Sequence, residues 1–184
     1  QRLGMSPGNY KKQSRGAGEV QRIRYATVPS ALGEMLIAAT EKGICALTLG
    51  DSAALLDAAL RAQFPAAELT YDEALQKSAR QILAGKEAGT AELSLDVRAT
   101  AFQLRVWQAL REIPRGQTRS YASVAQSIGQ PSAMRAVARA CATNPVALIV
   151  PCHRVVGSDG RLTGYRWGIQ RKKKLLEMER STSE

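Results

Sequence analysis

From Val20 onward, apolar residues first alternate with polar ones over short stretches and then shift to the wider spacing of helices. Ile23, Tyr25 and Thr27 share one face of an extended segment, and Glu34–Thr40 and Ile44–Leu49 read as two further strands. Between these two, Glu41-Lys42-Gly43 has the composition of a hairpin turn, with glycine available for positive φ. Asp51 is the expected N-cap of a helix reaching Phe64, with Leu55, Leu56, Ala59 and Leu60 on its inner face and Pro65 as its stop. A second helix after Asp72 turns Leu75, Ala79, Ile82 and Leu83 inward and ends at Gly85, and Glu92–Val97 alternates like another strand. The front half therefore reads as a small antiparallel sheet with helices. It holds no cluster of polar groups suited to chemistry, so its expected role is scaffolding.

The back half changes character. Thr100 opens a helix carrying Phe102, Val106, Trp107 and Leu110, closed by Pro114 and Gly116. Two short helices follow, Ser120 to Ile128 and Ser132 to about Ala142, separated by Gly129-Gln130-Pro131. Helix, glycine-containing turn and second helix is the helix-turn-helix arrangement. The apolar run Val146–Val150 is expected to be a strand leading straight into Pro151-Cys152-His153-Arg154. A glycine-rich loop and a basic helix from about Gln170 to Arg180 complete the chain. The fold class is thus an α/β N-terminal subdomain (20–97) plus a mainly α C-terminal domain (98–184) with a winged-helix-like helix-turn-helix.

Charge narrows the possible partners. A net charge of +10 and a pI near 10 point towards a polyanion. No apolar run approaches the roughly 20 residues of a membrane helix. The three cysteines, Cys45, Cys141 and Cys152, form no paired spacing, which suits a reducing cytosol. With a single histidine and no C-x-x-C pair, the sequence offers no structural zinc site. Gln1 is not a translation start, so the chain is expected to be a fragment or a processed product.

The lone histidine, His153, adjoins Cys152. A free thiol has a pKa of about 8.5 and needs a base or a positive charge nearby to become a ready nucleophile. On an extended segment neighbouring side chains point to opposite sides, so a bridging water is the expected link between the two. A buried, inert cysteine beside a hydrogen-bonded histidine is the competing reading. Leu175, Leu176 and Glu179 share one face of the last helix by 3.6-residue spacing, and a carboxylate beside two leucines needs a partner.

Pro151-Cys152-His153-Arg154-Val155 resembles the signature of the O6-alkylguanine-DNA alkyltransferase family. The resemblance extends to Ser120-Tyr121, Arg135-Ala136-Val137, Asn144-Pro145, the Gly164-Tyr165 loop and Leu175-Leu176-x-x-Glu179. It runs from about Thr100 to Arg180, and more loosely over the front half. Residues 1–12, with Leu3-Gly4-x-Ser6-Pro7-x-x-Tyr10, resemble the close of an AraC-type helix-turn-helix domain, and 13–19 read as a linker. Together with Gly164-Tyr165-Arg166-Trp167-Gly168, that start is most similar to the bifunctional, Ada-type branch of the family, in which a transcriptional activator is joined to the alkyltransferase.

The resemblance implies a role for each of these residues. Cys152 would take a methyl or other alkyl group from O6-alkylguanine in double-stranded DNA, with O4-alkylthymine as a second candidate substrate. The thioether it forms offers no leaving group, so each molecule would act once. His153 would accept the thiol proton through water and Glu179 would orient it, so that the thiol titrates well below a free cysteine. Asn144 would be the hinge between the DNA-binding helix and the cysteine segment. Arg135 would replace the flipped base in the stack with the help of Tyr121. Ser132, Ala136 and Arg139 would complete the DNA face, with Arg139 serving phosphates or simply solvated. Small residues on that helix suit the minor groove, about 6 Å wide, and would equally suit close helix packing. Tyr165, Ser158 and Val155 would line the base pocket, and Trp167 either lines it or belongs to the core. The resemblance implies no cofactor or metal, no membrane, a monomer and a bacterial cytosolic setting. Two other classes compete: a non-enzymatic damage sensor, against which Cys152 itself argues, and a regulatory DNA-binding fragment.

Overall fold

In the computed structural model, which describes residues 20–85 and 94–181, the alternating segments of the front half form a four-stranded sheet. Strands β1 (Arg22–Ser30), β2 (Gly33–Thr40) and β3 (Gly43–Gly50) run antiparallel in sequence order. β4 (Glu68–Tyr71) then pairs parallel with β1, placing Ile23 beside Leu69, and the order across the sheet is β3-β2-β1-β4. The sheet is therefore mixed, not purely antiparallel. The sequence pattern missed β4 because its four residues are too few to show alternation, and three of them are exposed. The expected segments 1–12 and 13–19, and Glu92 and Leu93 of the strand expected over Glu92–Val97, lie outside the described residues. The remainder of that expected strand contributes one bridge, Leu95 to Ile44, instead of a ladder.

Helix α1 (Ala53–Gln63) is capped by Ser52, whose hydroxyl accepts from the Leu55 amide at 3.3 Å; the expected cap, Asp51, lies one residue too early. Its inward stripe is also narrower than expected. Leu56 and Leu60 are buried against Ile23, Leu36, Ala38 and Ala46, while Leu55 is 63% exposed and Ala59 is exposed. Two leucines one helical turn apart suffice to cover one sheet face. Helix α2 (Leu75–Leu83) buries Ala79 and Ile82 as expected.

The chain divides into two compact units at Thr100/Ala101. In the second, α3 (Ala101–Arg111) supplies Val106, Trp107 and Leu110 to the core, and the Trp107 indole donates to the Ala140 carbonyl at 2.9 Å. A two-residue strand β5 (Arg119–Ser120) leads into α4 (Tyr121–Ser127), capped by the Ser120 hydroxyl. Gly129, at φ 71°, makes the turn to α5 (Met134–Ala142), which starts two residues after the expected Ser132. β5 pairs in parallel with β6 (Val155–Val156), and α6 (Ile169–Arg180) closes the unit.

The apolar run Val146–Val150 is not a strand. It folds back on itself, the Val150 amide donating to Val146 O at 3.1 Å, with Leu148 at φ 66°. A short apolar run signals burial, and periodicity alone does not choose its conformation. Val146, Ala147 and Val150 are fully buried all the same.

The turn between β2 and β3 provides a test. Gly43 has φ 150°, and a Cβ built there would lie 2.2 Å from the Ser94 carbonyl oxygen. Gly43→Ala is expected to lower stability by about 1–3 kcal/mol through strain and displacement of that strand edge. Urea unfolding followed by circular dichroism measures it, and an unchanged midpoint would contradict this account.

Candidate active site

Pro151 ends the folded-back segment, and Cys152–Arg154 forms a single 3-10 turn before β6. Cys152 and His153 are 3% and 1% exposed. Their separation thus comes from a tight turn and not from the extended backbone expected. The His153 Nε2 faces Glu179 Oε1 at 2.9 Å, while Nδ1 has no hydrogen-bond partner in the protein. Cys152 and His153 therefore make no direct hydrogen bond through that ring.

Glu179 does more than the histidine pairing expected of it. Arg154 donates to both its oxygens, Nη2 to Oε1 at 2.8 Å and Nε to Oε2 at 3.0 Å, and the Gly116 amide donates to Oε2 at 3.3 Å. Arg154 Nη1 also reaches the Ile113 carbonyl. Burial alone would raise the Glu179 pKa, but the hydrogen bonds and charges of His153 and Arg154 hold it down at about 2. The carboxylate is thus ionised, Nε2 carries the proton donated to it, and Nδ1 keeps its lone pair. Burial lowers the His153 pKa against the pull of Glu179, which keeps the ring neutral. A neutral, oriented imidazole with a free basic nitrogen is equipped to accept a proton.

Asn144, fully buried, organises the other side of the sulfur. Its Nδ2 donates to Val150 O at 2.8 Å and to Cys152 Sγ at 3.3 Å, and its Oδ1 accepts from the Val146 amide at 2.9 Å. The expectation of a depressed thiol pKa is overturned. Burial pushes Cys152 up to about 11, against the opposing Asn144 hydrogen bond and the charges of Lys172 and Arg166. Proximity to His153 does not make a resting thiolate, because desolvation of the anion outweighs the nearby donors.

Cys152 lies in the wall of a cavity of about 650 Å³, within the range of small-molecule sites. Tyr121, Ser158, Tyr165 and Arg135 line it with Cys152, as do Met134, Ala138 and Cys141 from α5. The Tyr165 hydroxyl is buried and has no partner in the protein, and Tyr121 Oη accepts from Thr163 at 3.1 Å. Ser132, Ala136 and Arg139 are exposed on or beside α5 and do not line the cavity. Val155 and Trp167 are buried outside the lining. Trp167 packs edge-on against Tyr165 at 5.1 Å, so it supports the pocket wall from behind.

Lys172 went unnoticed in the sequence. It is fully buried, with Nζ donating to Val155 O at 2.6 Å and Thr163 O at 2.9 Å, and it ties the glycine-rich loop to β6. The signal was present: Lys172, Leu175 and Glu179 share the helical face already used for the glutamate.

Two family models cover almost all of the described chain. The 6-O-methylguanine DNA methyltransferase ribonuclease-like domain matches residues 23–95, and the DNA binding domain of the same name matches 101–181. A methylated-DNA–protein-cysteine methyltransferase of Methanosarcina barkeri is 41% identical over 84% of this chain and 96% of its own length. The chain belongs to the O6-methylguanine-DNA methyltransferase family. It is also 48% identical, over 96% of its length, to the bifunctional transcriptional activator/DNA repair enzyme Ada of Escherichia coli K12. It spans about half the length of the Ada proteins it matches. Among solved structures, Mycobacterium tuberculosis OGT in complex with DNA superposes with a TM-score of 0.69 at 38% identity, covering 87% of this chain and 93% of that one.

Glu179 has a pH-dependent consequence. Its folded pKa of about 2 lies below the unfolded value of about 4.3. Its contribution is therefore complete above pH 4.3 and is lost as pH falls towards 2. Glu179→Gln should cost roughly 2 kcal/mol at neutral pH and flatten the acid limb of the stability curve. Denaturant unfolding from pH 7 to 2 tests this; a variant curve parallel to wild type would refute the pairing.

Proposed function

We propose that the chain repairs DNA by transferring an alkyl group from the O6 oxygen of guanine to Cys152, irreversibly and once per molecule. One observation carries the reading. A buried cysteine held by Asn144 opens on a cavity beside a neutral histidine that an ionised glutamate orients. In the transfer, Sγ forms a bond to the alkyl carbon as the carbon–O6 bond breaks. The thiol proton passes to His153 Nδ1 through a water, and the electron pair leaves with guanine, which regains a proton. Because burial keeps the thiol protonated at rest, the proton has to be removed in the course of the reaction. The thioether offers water no leaving group, so the protein does not turn over.

The target base must leave the duplex to reach a cavity, at a cost of a few kcal/mol. Arg135 stands exposed at the cavity mouth on α5, where its side chain can fill the gap left in the stack. Ala136 on the exposed side of α5 permits close approach to a narrow groove, and Arg139 and Ser132 are exposed where phosphates would pass. The unpartnered Tyr165 hydroxyl and Ser158 in the cavity lining support a role in recognising the extruded base, and Tyr121 beside them one in turning it out. The proposed working state is a monomer. The three free cysteines suit a reducing cytosol. The similarity of 1–12 to an AraC-type domain supports a wider reading, in which this chain is the repair part of a bifunctional regulator.

Mixing the protein with excess duplex carrying O6-methylguanine should yield a burst equal to the active protein and then stop, with one methyl mapped by mass spectrometry to Cys152. Cys152→Ala should abolish transfer while duplex affinity stays close to normal; residual transfer in that variant would refute the assignment. Arg135→Ala should slow repair of duplex by about tenfold or more, a cost of the order of base extrusion, but leave reaction with free O6-methylguanine base little changed. Equal losses on both substrates would remove Arg135 from the extrusion step.

A further inference from the structure

The cavity loop and the cysteine segment are joined by a side chain that the proposed chemistry does not yet use. Arg166 lines the cavity, and its Nη1 donates to the Asn144 carbonyl at 3.0 Å. Its guanidinium also lies 5.7 Å from the centroid of the Trp167 ring, within cation–π range. Trp167 in turn packs on Tyr165. The backbone oxygen held by Arg166 belongs to the residue whose side chain touches Cys152 Sγ. Asn144 is thus gripped at its main chain from the loop side, while its amide spans Val150 O and the sulfur.

We propose that Arg166 is a positioning residue for alkyl transfer, clamping the cavity loop to Asn144 so that the asparagine amide stays on the reacting sulfur. Two effects follow from the one contact. The clamp keeps a donor aimed at a sulfur that gains negative charge as its proton leaves, and a fixed donor needs no rearrangement at that moment. The guanidinium also places positive charge on the cavity side, in the direction that favours thiolate, together with Lys172. An arginine suits this position better than a lysine, since its guanidinium bonds a carbonyl and lies over an indole ring at once.

This inference rests on Cys152 being the alkyl acceptor, and the test separates the two claims. Arg166→Met keeps much of the aliphatic volume and removes the charge and the donor; Arg166→Lys restores charge without the planar guanidinium. Transfer to Cys152 is followed from methylated duplex and from free O6-methylguanine base, and Cys152 alkylation by iodoacetamide is followed as a function of pH. Arg166→Met should slow both methyl transfers by a similar factor, about tenfold for the loss of one charge-assisted contact on the residue that holds the reacting sulfur. It should also move the iodoacetamide profile to higher pH, with Arg166→Lys in between. A loss confined to duplex substrate would make Arg166 a DNA contact and overturn the proposal, as would unchanged rates or an unchanged iodoacetamide profile. If the unmodified protein transferred no methyl group, the repair reading would fall, while the iodoacetamide profile would still decide whether Arg166 acts on Cys152.

Discussion

A single buried carboxylate holds the reactive part of the molecule together. Glu179 accepts from His153, from two nitrogens of Arg154 and from the Gly116 amide, so it joins the last helix, the Cys152–Arg154 turn and the segment after α3. Burying such a group unpaired would cost several kcal/mol. Its partners convert that cost into a constraint, because each has one position from which it can satisfy the charge. Burial leaves the imidazole uncharged, and the charge of Arg154 beside the carboxylate acts in the same direction. A carboxylate with only the histidine for a partner would pull it towards imidazolium, leaving no lone pair to receive a proton.

The sulfur is governed by opposing terms. Burial pushes the thiol to about 11, and a hydrogen bond and two cations act against it. A permanently ionised cysteine would be open to oxidation and to stray electrophiles. In the proposed reaction the reactive form arises as the proton leaves, and the imidazole that would take it is already held by Glu179. For a protein proposed to act once, this would be a physical safeguard against wasting the nucleophile.

The two cations also explain how a glycine-rich loop becomes a pocket wall. Lys172 gathers the carbonyls of Val155 and Thr163, and Arg166 reaches the carbonyl of Asn144. Trp167 stands behind Tyr165 instead of inside the cavity. Among the described residues neither cation bonds a carboxylate; both bond backbone oxygens and so fix the loop by its main chain.

Local patterning determined a good deal of this protein. The three-stranded meander, the helix-turn-helix and the apolar face carrying Glu179 were all legible, because each follows from spacing along a single element. The cysteine and its histidine were legible as neighbours within a motif. Tertiary structure decided what spacing cannot encode. β4 is a strand only because β1 offers it an open edge, and Val146–Val150 folds back because Asn144 bonds both its ends. The roles of Arg154, Arg166 and Lys172 depend on which carbonyls and carboxylates lie opposite them. The thiol pKa was misjudged for the same reason: an adjacent histidine is a fact of sequence, whereas desolvation is set by everything packed around the sulfur.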